Sequence, residues 1–319
     1  MNLQTRLTGV SARLVASGND LLTTVTSSRY PMGIRLALFA LLALFTQPAF
    51  AASSQRLQSL EQQLAWLVSG KSANLGVAAL DLTTGEVLSV NGHDAFPMAS
   101  TVKVAVAANY LAQVEYGRRS LDDTISGRSA RSLMEAMMIH SDNHATDMLI
   151  RDLGGPDTLQ KWLDQHHITG LRIDRTIAGL LAARRDLHDV RDSSTPRAMV
   201  DLLQRIDSGK LLKPSSRAYL LGLMARCATG KNRIRGMLPA GTLVQHKTGT
   251  LSGYTSDVGY ITLNDGRRLA IAMFVRSGSD RPGTIARAAR AIFDGFNSLW
   301  RAPFTATAAA ASASYSRQK

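Results

Sequence analysis

Cysteine is almost missing from this chain: Cys227 is the single one in 319 residues. Its solitude excludes an intramolecular disulfide, a CxxC redox pair and any zinc site built on cysteine ligands, so stability must come from packing. A long hydrophobic run is lacking too, because the unbroken apolar stretch 36–45 has ten residues where a membrane span needs about 20. Acidic side chains are outnumbered, 24 Asp and Glu against 37 Lys and Arg, which leaves a formal charge of +13. Such an excess raises the question of nucleic acid, whose phosphates Lys and Arg neutralise. Here the cations are mostly isolated among apolar positions, with doublets only at 118–119, 184–185 and 267–268. There is no basic stripe and no aromatic RNA-binding motif, so no nucleic-acid partner is expected. Attraction to an anionic envelope surface fits the same charge. Apolar residues, at 45%, are plentiful, enough for a sizeable core in one large domain or two ordinary ones.

The stretch 36–45 reads LALFALLALF, follows Arg35 and runs into Gln47-Pro48-Ala49-Phe50-Ala51-Ala52. A positive n-region, a short apolar h-region and an A-x-A site after Ala51 make the layout of a secretory signal. Export to the periplasm or the medium is expected, with no stable span in the mature protein. Because a Ser/Thr-rich stretch of 31 residues precedes Met32-Gly33-Ile34-Arg35, Met32 is the expected start and 1–31 an over-extended or long n-region. No Cys lies near the cleavage site, which argues against a lipid anchor. Residues 303–319 are small and polar without periodicity, the composition of a disordered tail. The expected organisation is an extension and signal at 1–51, one folded domain at 52–302 and a tail at 303–319.

Residues 75–81 and 86–90, joined by Thr83-Thr84-Gly85, predict one β-hairpin; 256–263 and 268–276, joined by Asn264-Asp265-Gly266, predict another. Between them the pattern is helical at 100–116, 130–140, 143–153, 157–166, 195–207 and 214–227, with a last helix at 282–300. Strands at both ends of a helical middle imply an α+β, mixed three-layer fold: an antiparallel sheet built from both termini, flanking helices and an inserted all-helical subdomain.

Ser100 and Lys103 open the amphipathic stretch VAVAANYL and, at i and i+3, share a helix face. A hydroxyl at a helix N-terminus lies beside free N–H groups that stabilise a developing oxyanion. It is a poor nucleophile without a base, and Lys103 serves if burial or a second cation lowers its pKa. Alone, this spacing also describes an ordinary cap with a solvated lysine. Two more motifs, Ser141-Asp142-Asn143 and Lys247-Thr248-Gly249, follow in order, the second expected to precede the C-terminal strands. S-x-x-K, S-D-N and K-T-G together are the signature of class A β-lactamases and penicillin-binding proteins.

Over roughly residues 56–300 the chain resembles the class A β-lactamase family. Phe96 to Lys103 matches F-P-x-x-S-T-x-K, Arg191-Asp192-Ser193-Ser194-Thr195-Pro196 resembles the close of the family's omega loop, and Arg175 resembles its opening. The resemblance implies a nucleophile at Ser100, with its N–H and that of Thr250 as oxyanion hole. It makes Lys103 the acylation base, with Ser141, hydrogen-bonded to Lys247, returning the proton to the leaving nitrogen. Asn143 would hold an acylamide side chain; Thr248, Gly249 and Lys247, helped by Arg233, would bind a carboxylate. The implied substrate is a small anionic β-lactam or a peptidoglycan stem peptide, the implied enzyme a monomer with no metal or organic cofactor.

Other residues read more plainly. His246 should point away from Lys247 on a strand. His140 and His144 have metal-like spacing but no third ligand, and Cys227 reads as a small core hydrophobe. Asp142 is expected to position its loop, and Arg175 with Asp192 to clamp the omega loop. The family's deacylating Glu and its Asn, in an E-x-x-L-N motif, are missing: after Arg175 the chain reads Thr176-Ile177-Ala178-Gly179-Leu180-Leu181. Asp186 and Asp189 are the carboxylates left in 176–190, and they read better as solvated loop charges. The interval from Lys103 to Ser141 is also shorter than the family's by close to twenty residues, which should open the cleft. The expectation is an exported serine acyl hydrolase acylated at Ser100 by β-lactams or D-alanyl-D-alanine-like peptides and slow to deacylate. A true β-lactamase with Asp186, Asp189 or Lys103 as a non-standard base, a non-hydrolytic envelope sensor, and an esterase stay open beside it.

Overall fold

The computed structural model describes residues 55–69, 73–184 and 186–299. The signal, the start at Met32 and the tail at 303–319 lie outside the described residues. Strands β1 (Asn74–Asp81) and β2 (Val87–Val90) form the first hairpin, and β8 (Tyr254–Thr262) and β9 (Arg268–Arg276) the second. They join through β1 and β9, Asn74 opposite Arg276 and Asp81 opposite Leu269, while β7 (Val244–Leu251) pairs with β8. The result is a five-stranded antiparallel sheet in the order β2-β1-β9-β8-β7, assembled from both ends of the described chain as expected.

Alternation along the strands explains the layers, since successive side chains face opposite ways. Leu75, Val77 and Ala79 of β1 join Ile271 and Met273 of β9 on one face, under Leu60 and Leu64 of helix α1 (55–66) and Phe293 and Phe296 of α9 (Arg281–Leu299). Ala78 and Leu80 join Ala270, Ala272 and Phe274 on the other face, against the helical body. That body contains α2 (Lys103–Glu115), α3 (Ala130–Ile139), α4 (Asn143–Asp152), α5 (Pro156–Gln165), α6 (Ile177–Ala182), α7 (Pro196–Asp207) and α8 (Pro214–Ala225). Ten consecutive residues of α2, from Lys103 to Leu111 and Ala112, are buried. A helix covered on all sides is a central one.

The structure adds two elements. Lys247-Thr248-Gly249 precedes the C-terminal strands β8 and β9 as expected, but it also lies inside a strand of its own, β7, the edge of the sheet. The strand hides in the sequence because its polar residues are kept buried by the site they serve, which breaks the apolar alternation. The segment after Arg175, read as loop, contains the short helix α6, started by Thr176 accepting the Gly179 N–H at 3.1 Å.

Candidate active site

Ser100 sits in a 3₁₀ turn, Ala99–Val102, that leads directly into α2. The turn is held from two directions. Phe96–Pro97 (β3) pairs with Ser193–Ser194 (β6), and Met98 donates its N–H to Asp192 O at 2.9 Å. On the other side β7 presses close: a Cβ on Gly249 would stand 2.8 Å from Met98 O and 3.1 Å from Ala99 Cβ. Only a residue without a side chain lets the strand approach the Ser100 turn this closely. Ala99, Ser141 and Asp192 all carry left-handed backbone, at φ 47°, 61° and 53°. Such strain costs on the order of 1–3 kcal/mol per residue and is tolerated where the surroundings over-determine the conformation.

Ser141, after α3, is the meeting point of the two lysines. Lys103 Nζ donates to Ser141 Oγ at 3.2 Å, to Ser141 O at 2.7 Å and to Asn143 Oδ1 at 2.8 Å. Lys247 Nζ donates to the same hydroxyl at 2.9 Å and to Thr248 O at 3.0 Å. Both lysine side chains are fully buried. Burial, and then the Lys247 charge, pull Lys103 down to about 7. Burial chiefly, with Arg233 nearby, brings Lys247 to about 8. Lys103 titrates first, so it is already neutral when Lys247 gives up its proton; the repulsion is felt on one side. Near neutrality Lys103 is therefore about half protonated while Lys247 keeps most of its charge.

The backbone of the S-D-N segment is fixed by Asp142, which caps α4 by accepting the Ala145 N–H at 2.7 Å, the structural role expected of it. Thr248 is buried and Thr250 exposed. Arg233 is less free than the sequence suggests. Its Nη1 donates to Gly249 O and Ser256 O, both at 2.9 Å, while Nη2 donates to Thr250 Oγ1 at 2.7 Å. Burial lowers its pKa. It acts behind β7 as a cation that braces the strand and reaches the cleft through Thr250.

Two contributors were not singled out from the sequence. Thr229 shares a 2.5 Å hydrogen bond with the Thr248 hydroxyl; in the sequence it stands four positions before Arg233 and nothing else marks it. Asp147, one turn into α4, accepts the N–H of Ile177 at 2.7 Å and of Ala178 at 2.9 Å, and so anchors α6 beside the site. Nothing local marks it.

The omega-loop clamp forms as expected. Arg175 Nε donates to Asp192 Oδ2 at 2.5 Å, and Asp192 Oδ1 accepts the N–H groups of Asp174 and Arg175. Asp189 belongs to the same lattice of charges, paired with Arg191 at 2.8 Å and Arg175 at 3.3 Å. The Arg191 hydrogen bonds hold its carboxyl down at about 2. Asp186 is exposed and accepts the His188 N–H at 2.8 Å. Asp189 is thus committed to this lattice of arginines. His246 faces away from Lys247, buried with Nδ1 2.8 Å from Asp257. Cys227 is buried, its Sγ 3.4 Å from Thr229 Oγ1. His140 and His144 are exposed, and among the described residues no trio of His, Cys, Asp or Glu could hold a metal ion.

A family model described as the beta-lactamase enzyme family matches residues 59–296. A β-lactamase of Bacteroides uniformis is 30% identical over 290 residues, which cover 80% of this chain and 97% of that protein. Among solved structures, a β-lactamase from Chitinophaga pinensis superposes with a TM-score of 0.70 at 31% identity, over 75% of this chain and all of the other. An ancestral class A β-lactamase gives 0.71 at 32% identity, covering 74% of this chain and 100% of that one. The three motifs converge on one cleft of a shared fold, and the match runs through nearly every described element: the chain belongs to the β-lactamase enzyme family, as a serine hydrolase of the class A type that works through an acyl-enzyme.

Proposed function

We propose that the protein is exported, that Ser100 is its nucleophile, and that β-lactams or D-alanyl-D-alanine-like peptides acylate it faster than water removes the acyl group. The observation that carries the acylation half is the Ser141 hydroxyl held between two buried lysines, 3.2 Å from Lys103 Nζ and 2.9 Å from Lys247 Nζ. A Lys103 with a pKa near 7 is half neutral at physiological pH. It takes the Ser100 Oγ proton as Oγ forms its bond to the carbonyl carbon, and the oxyanion rests against the N–H groups of Ser100 and Thr250. When the carbon–nitrogen bond breaks, the nitrogen takes the proton of Ser141 Oγ, which a lysine ammonium replaces. Lys247 and Thr248 receive the substrate carboxylate, supported by the charge of Arg233, and Asn143 holds the acylamide.

Slow deacylation rests on the loop. Helix α6 contains no carboxylate, Asp147 spends both oxygens on backbone N–H groups, and Asp189 is committed to two arginines. On this reading a water beside the ester has no carboxylate held in place as its base, Asp186 being exposed in the loop. The test is intact-mass spectrometry of the processed protein with benzylpenicillin over time. A persistent adduct, absent from Ser100→Ala, is the expected result. Rapid adduct loss with drug turnover would instead support a β-lactamase with a different base, and absence of both would end the β-lactam reading.

A further inference from the structure

A cavity of about 400 Å³ opens between the second half of α2, the turn that follows it and α5, and no residue of the Ser100 cleft lines it. We propose that it is a binding site for a small carboxylate with an apolar body. Part of the polar wall is tied into a relay of its own. Arg118 Nη1 donates to Gln113 Oε1 at 3.3 Å, and Gln113 Nε2 donates to Asn109 Oδ1 at 3.2 Å. This relay leaves the Asn109 amide nitrogen as a donor for a guest. Trp162, which also lines the cavity and is 5% exposed, keeps its indole N–H buried with no hydrogen-bond partner among the described residues. A buried donor without an acceptor is costly and marks a place where an acceptor is wanted.

Charge points the same way. Arg119 is neutralised by Asp152, its Nε 2.7 Å from Oδ2, whereas Lys161 and Arg118 bring cations to the rim, and no carboxylate lines the cavity among the described residues. The Trp162 ring and Leu153 supply apolar wall. Donors inside, cations at the mouth and an apolar side suit a carboxylate carried on a ring or chain better than a bare inorganic anion. The volume falls within the range of small-molecule sites.

The test titrates the ¹⁵N-labelled protein with benzoate, acetate and inorganic phosphate, following the Trp162 indole signal by two-dimensional NMR. The chain has three tryptophans, so Trp162→Phe assigns the signal. Saturable movement with benzoate is expected, weaker with acetate and absent with phosphate. In Lys161→Gln/Arg118→Gln, whose two positions are exposed and leave the fold intact, the benzoate affinity should fall about tenfold. A Trp162 signal that benzoate does not move saturably overturns the proposal, as does unchanged affinity in the double variant or phosphate binding as tight as benzoate. Signals of residues 247–250 report the Ser100 cleft separately; benzoate that moves those alone also overturns it.

Discussion

Removing the Lys247 charge should reset the base on the other side of Ser141. The two ammoniums share one hydroxyl, at 3.2 and 2.9 Å, and therefore lie no more than roughly 6 Å apart. At an effective dielectric constant of about 20, charges at that separation repel by about 3 kcal/mol, or about two pKa units. Lys247→Met then raises Lys103 from about 7 toward about 9. It does not reach the ordinary lysine value, because burial, the larger cause of the depression, is untouched. Lys103 works as a base only when neutral, so the acylation rate rises with pH through its pKa. The acid limb of the profile must move to higher pH by one to two units in the variant. At pH 7 the neutral fraction drops from about one half to about 1%, which slows acylation by about fiftyfold before any loss of substrate binding. Quenched-flow mass spectrometry of acyl-enzyme formation between pH 5.5 and 9.5 reads the limb directly. Its position, rather than its height, is diagnostic. A limb that stays near 7 in Lys247→Met, or shifts to lower pH, would refute Lys103 as the titrating base and the repulsion across Ser141 with it.

Both lysines also tie stability to pH. Folded, they bind fewer protons than unfolded lysines between about pH 7 and pH 10.5, so their contribution to unfolding free energy climbs with pH by up to about 1.4 kcal/mol per unit for each. Urea unfolding of the wild type and of Lys103→Met at pH 7.5 and 9.5 checks it: the gain should be smaller in the variant, and equal gains would contradict the linkage. Gly249→Ala places a Cβ 2.4 Å from Ser256 Oγ and 2.8 Å from Met98 O, so it should displace the Ser100 turn and slow acylation by about a hundredfold while circular dichroism stays native. Undiminished acylation would show that the strand and turn can part at no cost. Asp147→Asn loses one acceptor for the α6 N–H groups, with an expected cost of about 1–3 kcal/mol. Hydrogen exchange at Ile177 and Ala178 should quicken by about tenfold or more; unchanged protection there would remove Asp147 from its anchoring role.

Much of the site could be read in advance because its motifs are local. The Ser100 and Lys103 spacing is one helical turn, Ser141-Asp142-Asn143 is a helix start with its cap, and the two hairpins are marked by alternation and turn residues. The exceptions share a cause. The strand β7 carries Gln245, Lys247 and Thr248 where an apolar pattern would be sought, so the site it builds hides it. Helix α6 is six residues long and depends on an acceptor 30 positions away.

The sequence by itself determined the family, the sheet made from both ends, the one-turn spacing of Ser100 and Lys103, and the absence of a Glu after Arg175. These follow from side-chain chemistry at short spacing. Only the tertiary structure decided that Lys103 and Lys247, 38 and 106 positions from Ser141, meet at one hydroxyl. It also decided that Arg233 braces β7, that Thr229 supports Thr248, and that Asp189 is spent on arginines. A pKa, a partner and a depth of burial are properties of what folding brings near a residue, and no spacing along the chain contains them.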